Sequence, residues 1–152
     1  MPKERTFVMI KPDGVARKLV GECIKRLEQR GFKLVAIKMQ VLTRAKAEEH
    51  YIEHKGKDFY ESLINFIISG PTIQMVWEGE EAVSQIRAMV GSTNPLEASP
   101  GTIRGDFALI TQKNVIHASD SIQSAEREIA LYFLPEEIVE YSVGDDKWMT
   151  SM

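Results

Sequence analysis

The chain carries a single cysteine, Cys23, in 152 residues. That excludes an intrachain disulfide and a cysteine-rich zinc module, and it fits a reducing compartment. Long apolar runs are also missing: stretches such as "LVAI" (34–37) have the length of a strand, not of a bilayer span. The opening "MPKERTFVMI" has neither the apolar segment nor the small-residue cleavage site of a secretory signal. Neither G-x-x-x-x-G-K-[ST] nor G-x-G-x-x-G occurs, so no P-loop or dinucleotide fingerprint is available. Positive charge is not in excess: the formal net charge is −3. A protein that coats nucleic acid needs a broad basic field, so nucleic acid is not indicated and any phosphate ligand must be met by a local cluster of donors. No repeat, low-complexity tract or linker divides the sequence. These absences lead us to expect one cytoplasmic domain over residues 1–152, without a membrane partner.

What is present reads as alternating strands and helices. "RTFVMIK" (5–11) has the continuous apolar character of a buried strand and runs into "KPDG", a turn sequence. Val20, Ile24 and Leu27 recur at helical spacing, with Gly31 as the stop. A second strand is expected over 32–42, two short helices over 44–55 and 59–68, a third strand over 72–78 and a helix over 80–90. Residues 91–105 include three glycines and two prolines and read as a long loop. "DFALI" (106–110) is expected to be the fourth strand, and 121–133 a helix capped by Asp120 or Ser121. The order is β-α-β-(αα)-β-α-β-α. It predicts an α/β (α+β) fold of the ferredoxin-like, split βαβ type: a four-stranded antiparallel sheet with covering helices and an inserted helical pair.

His117 lies in "NVIHASDS" (114–121), between the expected fourth strand and last helix. Ser121, Ser124 and Glu128 share a face of that helix, adjoining the loop that carries His117. A carboxylate on one imidazole nitrogen fixes the tautomer and leaves the other lone pair free for attack or proton transfer. The alternative is a solvated histidine beside an ordinary polar cap. Lys11 at the end of the first strand, Arg87 on the helix over 80–90 and Arg104 at the end of the long loop can converge in this topology. There they would pair with phosphate oxygens, with Thr93 adding a hydroxyl; taken singly, each is an ordinary surface charge. Tyr51, Phe59 and Leu63 sit on the inserted pair, either as core or as a clip on which a nucleobase stacks. His50 and His54 form H-x-x-E-H, a spacing found in zinc sites with both imidazoles on one helix face. No third ligand is marked, and they read as structural or surface histidines.

Taken together, "ERTFVMIKPDGV", "HYIEH…DFY", "SGPTIQMVWEG", "TNP…PGTIRGDF" and "NVIHASDS" resemble the nucleoside diphosphate kinase family, in the same order from Arg5 to Trp148. The resemblance implies exchange of a γ-phosphate, typically from ATP, between nucleoside triphosphates and diphosphates of broad base identity. The route it implies is a ping-pong cycle through a phosphohistidine at His117, an activity that maintains nucleoside triphosphate pools. It implies that Glu128 and Ser119 orient the imidazole with Tyr51 nearby. Lys11, Arg87, Thr93, Arg104 and Asn114 would contact phosphates or sugar, and Phe59 and Leu63 would hold the base. Mg2+ would ride on the nucleotide phosphates without a dedicated protein ligand. A homo-oligomer is implied, a hexamer rather than a tetramer.

Four features depart from the family pattern: Ala118 where glycine is usual, Asp58 where proline is common, Thr111 where an apolar residue commonly faces the base, and the tail "WMTSM". Ala118 would slow turnover if its backbone required glycine geometry. The rivals are a nucleotide-binding regulator that has lost phosphotransfer and a ferredoxin-like RNA-binding module. The second would call for paired aromatics on central strands and a basic face, and the sequence has neither.

Overall fold

A computed structural model describes residues 4–142 and 144–151. The first strand, β1 (Glu4–Ile10), lies inside a four-stranded antiparallel sheet of order β2-β3-β1-β4, with β2 at Lys33–Val41, β3 at Pro71–Gly79 and β4 at Ile116–Ala118. Alternate side chains of β1 enter two different cores, which is why its sequence reads as an unbroken apolar run. Val8 and Ile10 pack with Cys23 and Leu27 of α2 (Val20–Arg30) and with Ile86 and Val90 of α5 (Ala82–Val90). Phe7 and Met9 pack on the other face, against Ala47 of α3 (Arg44–His50), Ile64 and Ile67 of α4 (Tyr60–Ile67), and Tyr132 of α7 (Ile122–Tyr132). The ferredoxin-like architecture with an inserted helical pair is therefore the observed one. No helix among the described residues is long and apolar enough to cross a membrane.

Several boundaries differ from the sequence expectation. "KPDG" is not a bare turn: Pro12 opens a short helix, α1 (Pro12–Ala16), where a missing N–H costs nothing. The inserted pair is shorter than 44–55 and 59–68, because α3 ends at His50 and a separate 3-10 turn occupies Ile52–His54. The 91–105 segment is partly structured, with a 3-10 turn at Pro95–Glu97. The largest error concerns "DFALI". Asp106 and Phe107 close a helix, α6 (Ile103–Phe107), whose cap Thr102 accepts from the Gly105 N–H at 3.0 Å. Leu109 and Ile110 beyond it are solvent-exposed. The free edge of β1 is taken instead by three residues, Ile116–Ala118, with His117 opposite Met9. A strand this short, broken by a histidine, has no periodicity to read, whereas a five-residue apolar run fits strand and helix end equally well.

Gly31 ends α2 with φ 113°, its N–H bonding the Glu28 carbonyl at 3.0 Å. A Cβ there would overlap the Met149 methyl of the last helix, α8 (Asp146–Met149). Gly31→Ala is expected to cost about 1–2 kcal/mol for the left-handed backbone alone, read as a lowered urea midpoint. An unchanged midpoint would contradict both the strained geometry and the close seat of Met149.

Candidate active site

The approach to β4 is held by one strained residue. Val115 has φ 75°, rare for a β-branched side chain, and around it the Ile116 N–H bonds the Asn114 carbonyl at 2.8 Å, a γ-turn. Two contacts from the start of the chain enforce it. The Val115 N–H donates to Asp13 Oδ2 at 3.0 Å, and its carbonyl accepts from the Lys11 N–H at 2.9 Å. The turn sets Asn114 and His117 on either side of a kink, both lining one cavity of about 610 Å3. Strain of this kind persists only where the surroundings over-determine it, and it gathers at functional sites.

His117 therefore sits within β4, not in a loop after it. Its Nε2 lies 2.8 Å from Glu128 Oε1, and the same oxygen accepts from Ser119 Oγ at 2.7 Å. Burial alone would raise the Glu128 carboxyl, but the hydrogen bond from His117, the two imidazoles beside it and the Ser119 hydroxyl outweigh it and bring the group down to about 2. An ionised carboxylate only accepts, so the proton of a neutral His117 is on Nε2 and Nδ1 keeps its lone pair. Ser121, rather than Asp120, caps α7, its Oγ accepting from the Ser124 N–H at 3.0 Å.

The cations grip the backbone beside the histidine. Arg104 donates from Nη2 to the Ile116 carbonyl at 2.6 Å and from Nη1 to the Gly91 carbonyl at 2.9 Å. Arg87 donates from Nη1 to the Ala118 carbonyl at 2.7 Å and from Nη2 to Thr93 Oγ1 at 3.4 Å. The residues before and after His117 are thus each held by a guanidinium. Arg104 belongs to the first turn of α6 and is buried, not placed at a loop end before a strand. Lys11 Nζ donates to Asn114 Oδ1 at 2.8 Å, and Asn114 Nδ2 donates to the Thr93 carbonyl at 2.9 Å. Burial and the Arg104 charge pull Lys11 down to about 7 against the attraction of Asp13, and burial with the Arg87 charge brings Arg104 to about 10. Three cations converging beside a polar imidazole are a seat for an anion. They do not make a carboxylate cage for a bare metal ion.

The same cavity is lined by Tyr51, Phe59 and Leu63, so it brings together ten of the eleven residues expected to serve catalysis or nucleotide binding, with the eleventh, Ser119, behind Glu128. A family model of nucleoside diphosphate kinases matches residues 4–138. The chain belongs to the nucleoside diphosphate kinase family. A nucleoside diphosphate kinase of Methanocaldococcus jannaschii is 63% identical over 136 residues, 90% of this chain and 97% of the relative. That of Carboxydothermus hydrogenoformans is 58% identical over 146 residues, 96% and 98% of the two chains. The structure of the Halobacterium salinarum nucleoside diphosphate kinase in complex with CDP superposes with a TM-score of 0.95 at 46% identity, covering 97% of this chain and 98% of the other. As a nucleoside diphosphate kinase the chain is a nucleotide phosphotransferase.

The structure changes the reading of His50, His54 and Ala118. His50 and His54 do not share a helix face: His50 ends α3, while His54 ends the 3-10 turn with its ring centroid 5.4 Å from that of Phe59. His50 is buried, its Nδ1 2.9 Å from the Tyr132 hydroxyl and its ring edge-on to His117 at 4.9 Å. Burial and the neighbouring His117 hold His50 down to about 3, so it stays neutral. Of the two readings the sequence left open, structural or surface, the junction of α3 with α7 makes His50 structural, while Gln112 and Arg127, which no sequence pattern marks, also line the cavity. Ala118, for its part, has no positive φ, and its methyl enters the apolar core on the face of the sheet away from His117. Nothing at Ala118 requires glycine. Asp58 is exposed and outside the cavity lining, whereas Thr111 is part of it.

The lysine supplies a pH test. Unfolded, it keeps its proton up to about pH 10.5, but folded it loses it near 7. Between those values the unfolded chain binds more protons, so stability rises with pH across the window. Urea melts from about pH 7 to 10 should show this rise in the wild type and lose it in Lys11→Met. A wild-type minus variant difference that is flat with pH would contradict the assignment.

Proposed function

We propose that this nucleoside diphosphate kinase moves the γ-phosphoryl group of a nucleoside triphosphate, typically ATP, to a nucleoside diphosphate in two half-reactions through a phosphohistidine at His117. Nδ1 attacks the γ-phosphorus, the bond to the β–γ bridging oxygen breaks, and the diphosphate leaves. A β-phosphate oxygen of the second nucleotide then attacks the same phosphorus, the P–N bond breaks, and the imidazole is restored. The observation that carries the reading is the pairing of Nε2 with the ionised Glu128, 2.8 Å away, in a cavity rimmed by Lys11, Arg87 and Arg104. Glu128, fixed by Ser119, holds the tautomer and offsets the positive charge that develops on the ring during attack. Lys11, Arg87, Thr93, Arg104 and Asn114 receive the phosphates and sugar, where positioning and charge stabilisation do most of the catalytic work. Tyr51 walls the histidine. Phe59 and Leu63 carry the base, and stacking is tolerant of its identity; the CDP of the Halobacterium salinarum relative fits such tolerance. Mg2+ enters as part of the nucleotide substrate.

The reading extends to a single catalytic unit over 1–152, a cytoplasmic role in keeping nucleoside triphosphate pools balanced, and a homo-oligomer, a hexamer in preference to a tetramer. Support for assembly comes from β2, an edge strand with Ile37, Met39 and Val41 all about half exposed, and from the exposed Leu109 and Ile110. Light scattering should return the mass of six chains. Four would replace the hexamer by a tetramer, and a monomer would remove the proposal.

For the chemistry, the protein is mixed with γ-labelled ATP and magnesium. Label should appear on the chain, acid-labile and base-stable, and leave as new triphosphate when GDP or CDP is added. His117→Ala should take no label, and Glu128→Gln should label roughly 100-fold more slowly. ATP binding without label would make the protein a nucleotide-binding regulator and end the kinase mechanism proposed here.

A further inference from the structure

Gln112 lines the same cavity as Phe59, Leu63 and Thr111, on the loop that leads from α6 into the strained turn at Val115. Its Nε2 donates to Ser62 Oγ at 2.9 Å, across the cavity mouth to α4. The Ser62 hydroxyl has one proton, and it is given to the Phe59 carbonyl at 3.0 Å. Ser62 can therefore only accept from Gln112, which fixes which end of the carboxamide is nitrogen. One Nε2 hydrogen is used in this bond. The second hydrogen and Oε1 have no hydrogen-bond partner among the described residues. The result is an amide of set orientation, tied through Ser62 to the backbone of the residue that bears the exposed Phe59 ring, with one donor and one acceptor uncommitted.

Resting on the nucleotide reading above, we propose that Gln112 is a base-edge contact that serves both amino and keto bases. Adenine and cytosine present an exocyclic amino group, which donates, and guanine and uracil or thymine present a carbonyl, which accepts. The uncommitted Oε1 receives the first class and the second Nε2 hydrogen serves the other, with no rotation of the side chain. Stacking on Phe59 alone would also be tolerant, but it would leave the base edge unpaired on the protein side. Gln112 adds a directional contact without adding a preference.

Changing the amide to an acceptor-only group separates the two explanations. In Gln112→Glu the carboxylate still receives an amino group but faces the keto oxygen of guanine or uracil. Steady-state kcat/KM is measured for ADP, CDP, GDP and UDP as acceptors from one common triphosphate donor, in wild type, Gln112→Glu and Gln112→Ala. The added negative charge slows all four acceptors alike and cancels in the ratio of amino to keto bases. Wild type should give a ratio near one, Gln112→Glu a ratio shifted roughly tenfold toward ADP and CDP, and Gln112→Ala a uniform loss of roughly threefold. The same ratio in Gln112→Glu and wild type, with transfer otherwise intact, overturns the base-edge contact and leaves stacking as the whole account. Absence of transfer to any acceptor in the wild type would instead remove the nucleotide reading on which it rests.

Discussion

The site depends on one buried ion. Glu128 is almost fully shielded from water and still ionised, held in that state by the His117 Nε2–H and the Ser119 hydroxyl on a single oxygen. A carboxylate removed from water without such donors would take up a proton. Protonated, it could donate to Nε2 and turn the imidazole to the opposite tautomer. The bond between α7 and β4 therefore does two things. It secures the last strand against the last long helix, and it decides which nitrogen of His117 carries the lone pair. His50 completes the arrangement from α3 as a second imidazole that remains neutral because it is buried. It supports His117 without adding charge to a region already rich in cations.

Those cations follow a related logic. Arg87 and Arg104 each commit part of their guanidinium to carbonyls flanking His117, so the groups suited to phosphate also fix the backbone of that histidine. Moving β4 would move both. Lys11 is held by Asn114 in a place where its charge is disfavoured, and an arriving phosphate would restore the preference for the protonated amine. The cavity is thus costly when empty and relieved by an anion. This is the expected balance for a site that must bind polyphosphate and release it again.

Much of this was legible in the residues themselves. β1 could be read because a central strand buried on both faces has to be apolar throughout, and the end of α2 because Gly31 is the residue that tolerates its backbone. The residues of the cavity were legible through family resemblance far more than through pattern, since an isolated Arg87 or Lys11 has no signature. What could not be read was set by long-range contacts. β4 exists because β1 has a vacant edge and because Asp13, about a hundred positions earlier, clamps Val115. His50 was open between a structural and a surface reading, and only the packing of α3 against Tyr132 decides for the first. Ala118 looked obstructive until strand alternation sent its methyl to the other face.

The central claim is that Glu128 leaves Nδ1 of His117 as the bare nitrogen. Long-range 1H–15N correlation spectra of the protein labelled with 15N-histidine, taken at pH 8 without nucleotide, test it directly. The account predicts a neutral His117 with its proton on Nε2 and an unprotonated Nδ1, in a pattern that Glu128→Gln disturbs. A His117 protonated on Nδ1 in the wild type would contradict it, because the lone pair would then face the carboxylate instead of the cavity.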